Sequence, residues 1–294
     1  MSALAAAGAL ALALVFAQSQ FDGVTIRTTE LADGVYMLEG AGGNMAVSVG
    51  PDGVILIDDQ FAPLSERIQA AIGELSDLQV RFVLNTHWHG DHTGGNEAFG
   101  ATGAVIVAHD NVRERMSVDQ FNDLLGRETK AADPAALPVV TFTDQVTFHL
   151  NGRPVEVVHV PAAHTDGDSI VRFVGSNVVH AGDVFFSGRF PLIDVDSGGS
   201  IDGMIEALEM IVAMSGPETK IIAGHGPLGS AADVLSSIDM LKTVRARVQA
   251  RIDAGDTEDE AVAAAPLKDL EAEWAWRFIS GDRMVRSVYR SLTG

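Results

Sequence analysis

Short runs of mainly hydrophobic residues, separated by turn residues such as glycine and aspartate, characterise the first part of the chain. Three of these runs predict strands at Val35–Leu38, Met45–Val49 and Val54–Ile57. The separating residues Asp33-Gly34 and Pro51-Asp52-Gly53 are typical of tight turns. This spacing favours an antiparallel meander.

The rest of the pattern adds helices and a second group of strands. Apolar residues at helical spacing predict helices at Pro63–Leu75, Asn111–Leu125, Asp202–Met214, Ala231–Ile252, Glu258–Ala264 and Arg283–Leu292. Further strands are predicted at Val80–Asn85, Ala104–Ala108, Val146–Leu150, Val155–Val160, Ser169–Val174, Val178–Ala181 and Lys220–Ala223. Two strand-rich halves, each followed by helices, predict a four-layer αββα sandwich of the α/β (α+β) class. We expect one domain over residues 18–294, with a C-terminal helical extension.

The N-terminal residues 1–17 form an almost unbroken Ala/Leu run. Small residues near Ala17 suit cleavage by a signal peptidase, so we expect a signal peptide and export to the periplasm. The run is too short and too rich in alanine to favour a permanent membrane anchor after processing. No lysine or arginine precedes it, which leaves open an N-terminus without a targeting role.

The composition limits the classes of binding partner and the side chains that could bind a metal ion. The chain of 294 residues has a formal net charge of -20 and a pI near 4.6. Such a surface repels nucleic acids and anionic lipids, so the expected partner is a small-molecule substrate. There is no cysteine, which excludes disulfides and thiolate ligands; a metal ion would have to bind His, Asp or Glu. The oligomeric state does not follow from the sequence.

Four potential metal ligands stand together in Thr86–His92, directly after a predicted strand. They are His87, His89, Asp91 and His92. An alternating His-x-His pair at the end of a strand places both imidazoles on the same side of the chain. Gly90 permits a tight turn that can bring the last two ligands back towards a second ion. One isolated histidine would indicate little, but four such groups in one turn predict a metal centre.

Three further candidates follow later strands, each beside a small residue. They are His164, Asp183 in Gly182-Asp183, and His225 in Gly224-His225-Gly226. Loops at strand ends are where a site assembled from distant segments draws its ligands. The remaining histidines lie in or beside strand patterns and are interpreted as structural: His109, His149, His159 and His180.

Taken in order, these motifs resemble the metallo-β-lactamase superfamily of hydrolases. The resemblance covers about Val24 to Pro227 and implies the same αββα fold, with the site at one edge between the sheets. It implies a first zinc ion on His87, His89 and His164, a second on Asp91, His92 and His225, and Asp183 as the bridge. It also implies that Asp58 orients a ligand histidine through its other ring nitrogen.

The resemblance implies a hydrolase with two Zn²⁺ per chain, other divalent metals being possible. Two zinc ions that share a water lower its pKa and make hydroxide available at neutral pH. The hydroxide attacks the bond to be opened, and Asp91 is the expected catalytic residue, which orients the nucleophile or passes a proton to the leaving group.

The substrate pocket is predicted to be apolar. Its candidate residues are Phe61, Trp88, Phe186, Arg189 and Ile193. Phe186 stands where many zinc β-lactamases carry a lysine for the substrate carboxylate, and Arg189 is a possible substitute or a simple surface residue. We therefore expect a β-lactamase-like enzyme that opens cyclic amides or esters, with promiscuity towards lactones. The alternatives are a thioesterase of the glyoxalase II type and a lactonase without β-lactam activity.

Two other classes of protein have to be weighed. One is an oxidoreductase relative in which the same ligands hold iron, and the predicted export argues against it. The other is a non-catalytic interaction protein on the same fold. Such proteins typically lose ligands, whereas all seven are present here. Metal analysis would identify the first class and turnover would exclude the second.

Overall fold

A computed structural model describes residues 21–160 and 162–294 and places two β-sheets at the centre of the fold. The predicted signal peptide, residues 1–17, lies outside the described residues and stays a prediction. Among the residues described, no helix has the length and apolar character needed to cross a bilayer.

The first sheet has seven strands in the order β1-β2-β3-β4-β5-β6-β9. Their bounds are β1 Arg27–Ala32, β2 Val35–Glu39, β3 Met45–Gly50, β4 Gly53–Ile57, β5 Val80–Leu84, β6 Val105–His109 and β9 Val140–Phe142. Strands β2 to β4 form the predicted antiparallel meander, and β1 adds a further antiparallel strand at its edge, whereas β4, β5, β6 and β9 are parallel. The sequence analysis missed β1 and β9, the two edge strands, whose mainly polar or exposed residues lack a clear apolar run.

The second sheet has five strands in the order β10-β11-β12-β13-β14. Their bounds are β10 Gln145–Leu150, β11 Arg153–His159, β12 Ser169–Phe173, β13 Val178–His180 and β14 Lys220–Ile222. The first four are antiparallel, and β13 and β14 are parallel. A separate hairpin, β7 Gln120–Asn122 and β8 Arg127–Thr129, forms a two-stranded sheet.

Nine α-helices lie within the described residues. They are α1 Ser65–Gly73, α2 Gly90–Thr93, α3 Asn96–Ala101, α4 Asp110–Met116, α5 Ile201–Ala213, α6 Ala231–Asp253, α7 Glu258–Ala263, α8 Glu271–Trp274 and α9 Gly281–Thr293.

Most buried apolar side chains of the described residues belong to three clusters. One cluster joins the facing sides of the two sheets, for example Ile55 and Ile57 with Val171. A second packs α1 against the outer face of the first sheet, and a third packs α5, α6 and α9 against the second. Neighbouring residues of β4 alternate between the first two clusters, as side chains of a strand buried on both faces must. The αββα prediction is confirmed.

The helix predicted over Asn111–Leu125 is wrong in its second half. Helix α4 ends at Met116, and the hairpin β7–β8 follows. The Ser117 hydroxyl donates to the carbonyl of Glu114, and the Gln120 amide donates to that of Arg115. Side chains thus satisfy carbonyls that a longer helix would have used, which ends the helix.

Candidate metal centre

The predicted ligands meet at one edge of the sandwich, between the two sheets. The segment Thr86–His92 follows β5 of the first sheet, whereas Asp183 and His225 follow β13 and β14 of the second. Strands β4 to β6 are parallel, as are β13 and β14, so their carboxyl ends open towards this edge. Asn44 ties the two sides together, because its amide donates to the carbonyls of Ala223 and Gly226.

The first group of ligand atoms comprises three histidines and a carboxylate. His89 Nδ1 lies 3.2 Å from His87 Nε2 and 2.8 Å from His164 Nε2. One oxygen of Asp183 lies 3.8 Å from His87 Nε2 and 3.5 Å from His164 Nε2. Three imidazole nitrogens and a carboxylate oxygen therefore converge on one point.

The second group comprises Asp91, His92 and His225. His225 Nε2 lies 3.3 Å from Asp91 Oδ2 and 3.4 Å from Asp183 Oδ2. His92 Nε2 lies 3.1 Å from Asp183 Oδ1. Asp183 is thus in contact with histidines of both groups, and the structure brings together all seven side chains that the sequence singled out.

The buried polar atoms of this centre fit a divalent cation. His92 Nε2 and Asp183 Oδ1 are buried and, although they lie 3.1 Å apart, neither forms a hydrogen bond of acceptable geometry within the described residues. Burial alone lowers the pKa of His225, but the carboxylates of Asp183 and Asp91 raise it to about 9. The same carboxylates, with Asp58, raise the pKa of His92 against the effect of burial. The site therefore favours positive charge, and its imidazoles and carboxylates suit a divalent metal.

Asp58 connects two parts of the histidine motif. Its Oδ2 lies 2.7 Å from His92 Nδ1 and accepts the hydroxyl of Thr86 at 2.8 Å, while Oδ1 accepts the Thr86 backbone N–H. The bond to Nδ1 leaves His92 Nε2 to face the centre, which is the position that the sequence analysis expected for Asp58. Asp58 has a positive φ of 60°, a strained conformation that these three bonds hold in place.

Asp194 provides a similar contact that the sequence analysis missed. Its Oδ2 lies 2.9 Å from His89 Nε2, so that Nδ1 of the same ring faces the centre. Asn122, in the β7–β8 hairpin, donates to the other oxygen of Asp194 at 2.8 Å. Only the folded chain brings these residues together, because Asp194 stands in an irregular loop far from His89 in the sequence.

The loop that carries His164 is held by three contacts between side chains and backbone groups. His164 Nδ1 lies 2.7 Å from the carbonyl oxygen of Leu192, and Asp168 accepts the backbone N–H groups of His164 and Thr165. Burial raises the pKa of Asp168 to about 7. Burial also lowers the pKa of His164 to about 4, which keeps its Nε2 available as a neutral ligand.

A cavity of about 550 Å³ opens above the metal centre. Asp91, Asp183 and His225 line its floor. Its apolar walls are Phe61, Trp88, Leu125, Phe186, Trp276 and Phe278. The ring of Phe186 stacks on His225 with centroids 5.2 Å apart, and so forms part of the wall directly beside a ligand.

Three of the predicted pocket residues, Phe61, Trp88 and Phe186, line this cavity. The other two do not line it. Ile193 is fully buried in the core under the second sheet, so its side chain cannot reach the cavity. The guanidinium of Arg189 lies 4.8 Å from the ring centroid of Trp276, behind the wall that Trp276 forms.

Trp276 and Phe278 were not predicted to line the cavity. They follow α8, and the chain has to fold back over the second sheet to bring them to the cavity wall. Trp276 is fixed by a hydrogen bond from its Nε1 to the carbonyl of Phe190.

The four remaining histidines stand outside both groups of ligand atoms. His109 stacks on His159 with ring centroids 3.7 Å apart, and His180 Nε2 lies 2.9 Å from the carbonyl oxygen of Asn44. His149 is exposed on β10. Each thus has a position consistent with a structural role.

Comparison with known proteins places these features in a family. A family model described as the metallo-beta-lactamase superfamily matches residues 39–251. The chain is 28% identical over 155 residues to a hydroxyacylglutathione hydrolase of Pelagibacter ubique, covering 52% of this chain and 54% of that protein. It is 23% identical over 219 residues to a metallo-beta-lactamase type 2 of Bacteroides fragilis, covering 69% and 80%. The chain thus spans only about half the length of the hydroxyacylglutathione hydrolase it matches.

Solved structures show the same fold. A metallo-beta-lactamase from Pontibacter korlensis aligns with a TM-score of 0.61 at 18% identity, over 74% of this chain and 99% of that one. A sec-alkylsulfatase from Pseudomonas sp. aligns with a TM-score of 0.69 at 16% identity, over 92% of this chain and 50% of that one. At these identities the likeness concerns the fold.

Proposed function

The chain belongs to the metallo-β-lactamase superfamily, and we propose that it is a metal-dependent hydrolase that opens cyclic amide or ester bonds. The observation that carries this proposal is the convergence of seven His and Asp side chains around the floor of one open, largely apolar cavity. The hydroxyacylglutathione hydrolase and β-lactamase relatives support hydrolysis of a small molecule as the general reaction.

We assign two zinc ions to this centre. His87, His89 and His164 would hold the first ion, and Asp91, His92 and His225 the second. Asp183 would serve both, since it contacts histidines of both groups. When bound, such ions polarise the bond under attack and lower the pKa of water.

Asp91 is the carboxylate best placed to act on the substrate. Its side chain is 26% exposed and lines the cavity, whereas that of Asp183 is 5% exposed. Burial raises the pKa of Asp91, but His92 and His225 lower it well below its usual range. Asp91 therefore enters the reaction ionised, and its carboxylate can accept a proton and deliver it to the leaving atom.

The cavity walls favour a substrate with apolar substituents. Phe186, on His225, occupies the place where many zinc β-lactamases of the family carry a lysine, so a substrate must be held here by other contacts. Apolar walls with a few polar groups at one end are typical of a site for a small organic molecule. A cyclic amide or ester fits this description.

Thioester hydrolysis is the second candidate. Hydroxyacylglutathione hydrolases are among the relatives that match over more than half of this chain. In addition, the segment after α8 lines the cavity with Arg277, a basic residue of the kind that binds an acidic thiol.

A panel of chromogenic substrates tests the proposal. The purified, metal-quantified protein is assayed with a cephalosporin, a lactone and a thioester, with and without a chelator. We expect chelator-sensitive turnover of the cephalosporin or the lactone, which His89→Ala abolishes. The control is His149→Ala, which removes an exposed histidine on β10. Turnover of the thioester alone would favour the second candidate, and a metal-loaded protein inactive on all three would contradict the proposal.

A further inference from the structure

Most lysine and arginine side chains of this acidic protein are engaged by other residues. In residues 21–160 and 162–294, only four have neither an ion pair nor a side-chain hydrogen bond: Arg127, Arg189, Lys268 and Arg277. Two of them, Arg127 and Arg277, line the cavity above the metal centre, and Arg189 packs on its wall. Unpaired positive charge is thus concentrated at the cavity, although the formal net charge is -20.

Arg127 opens β8 of the hairpin, and the acidic residues of that hairpin are already paired. Glu128 forms an ion pair with Lys130, and Asp123 forms one with Arg290. The guanidinium of Arg127 consequently remains free beside the cavity.

The carboxylates in the cavity lining do not balance these arginines. Asp91 and Asp183 contact the histidines of the metal centre, and Asp194 contacts His89. These three acids belong to the floor, whereas Arg127 and Arg277 are exposed residues of two peripheral segments.

The segment that carries Arg277 is firmly held. The neighbouring Trp276 donates through Nε1 to the carbonyl of Phe190 at 2.9 Å, and the Arg189 guanidinium stacks on its ring. The Trp276 ring also lies 6.3 Å from that of Phe186 in the cavity wall. Because these three contacts hold Trp276, the residue next to Arg277, the charge of Arg277 stays near the cavity.

We infer that this cavity selects substrates that carry a carboxylate, which Arg127 and Arg277 bind while the apolar walls hold the rest of the molecule. Guanidinium groups bind carboxylates with two parallel hydrogen bonds. A local positive patch is also needed to admit an anion, because the acidic surface repels it at longer range. This inference rests on the proposed hydrolase function and specifies the class of its substrate.

The test compares two esters that differ only in charge: para-nitrophenyl hydrogen glutarate and its neutral methyl ester. The native enzyme should prefer the anionic ester, and added salt should weaken the preference. Replacing both arginines, Arg127→Gln with Arg277→Gln, should lower the ratio of kcat/KM for the anionic over the neutral ester by about tenfold, and each single change by less. Lys268→Gln is the matched control, because it removes an equally unpaired charge from outside the cavity.

Binding gives a readout that does not depend on turnover. Phenylvalerate and its uncharged amide are titrated against the metal-loaded protein, with tryptophan fluorescence as the signal. The native protein should bind the carboxylate more tightly than the amide, and the double variant should lose that difference.

The possible outcomes distinguish a failure of the proposed hydrolase function from a failure of the inferred carboxylate selectivity. Failure of both esters to react would contradict the hydrolase function for this class, while the binding difference would still support the inference. Equal binding of carboxylate and amide by the native protein would overturn the inference, as would an unchanged preference in the double variant.

Discussion

Asp194 and His89, 105 positions apart in the chain, are joined by a hydrogen bond of 2.9 Å between a carboxylate oxygen and the ring Nε2. The bond determines which nitrogen of His89 faces the metal centre. Asn122 of the β7–β8 hairpin contacts the other oxygen of Asp194, so the hairpin also contributes to the orientation of this ligand.

Replacing the aspartate tests that contact. We expect Asp194→Asn to weaken metal affinity roughly 10- to 100-fold, because a carboxylate partner fixes the ring and raises its basicity. Affinity is measured by competition with a chromophoric chelator. The control is Asp196→Asn in the same loop, whose carboxylate accepts the backbone N–H of Asp123 instead. An equal loss in both variants would mean that the loop, not the His89 contact, is responsible.

Asp183 should matter for both ions, and His225 for one. We expect His225→Ala to retain about one metal ion per chain and Asp183→Asn to lose affinity at both positions, because Asp183 is the ligand carboxylate that contacts histidines of both groups. Elemental analysis after dialysis gives the stoichiometry, and circular dichroism verifies folding. Full occupancy in Asp183→Asn would contradict its assignment as the shared ligand.

Substitution by alanine should affect the metal content differently at two glycines near the site. A Cβ at Gly43 would lie 2.1 Å from Cε1 of His92, so we expect Gly43→Ala to displace that ring and lower the metal content. A Cβ at Gly90 would meet nothing within 4 Å, and Gly90 has no positive φ. We therefore expect Gly90→Ala to keep its metal, although Gly90 stands inside the histidine motif. Elemental analysis of the two variants side by side decides the matter.

The lowered pKa of His109, which lies outside the metal centre, predicts that the stability of the fold depends on pH. Burial and the stacked His159 lower the pKa of His109 below its usual 6.5. Since the folded chain then binds this proton more weakly than the unfolded chain, stability is lost as the pH falls below about 6.5. His109→Asn removes the titrating group, and asparagine is also a favoured residue at the start of a helix.

The measurement is the Tm of the chelator-treated protein at about pH 7.5 and about pH 5.5, two values on either side of the usual histidine pKa. We expect a smaller fall in Tm on acidification for His109→Asn than for the native chain. His149→Asn, at an exposed position, should behave as the native chain does. An identical fall in all three proteins would exclude this role of His109.

Local patterns were sufficient for the fold and for the residues that converge at the metal centre. Short apolar runs between turn residues identified most strands, and the dense His-x-His-x-Asp-His motif identified the site, because both signals lie within a few neighbouring residues. Asp58, at the end of a predicted strand, was identified through the resemblance to the family rather than from a local pattern alone.

The features that were not predicted mostly depend on contacts between segments distant in the sequence. Asp194 is an unremarkable loop aspartate until the fold brings His89 next to it. Trp276 and Phe278 enter the cavity only because the chain after α8 returns over the second sheet. The end of α4 was missed for a different reason, since side-chain bonds from Ser117 and Gln120 override an apolar spacing that would suit a longer helix.

The position of Trp276, Arg277 and Phe278 in the cavity wall has a consequence for how enzymes of this kind can diversify. The residues matched by the family model end at 251 and include every candidate metal ligand, whereas these three wall residues lie beyond it. One part of the cavity wall is thus encoded outside the stretch that carries the candidate metal ligands, whereas Phe61, Trp88 and Phe186 lie within that stretch. Under the proposed function, substitutions in the last forty or so codons would reshape this part of the wall, and with it the choice of substrate, without replacing any candidate metal ligand.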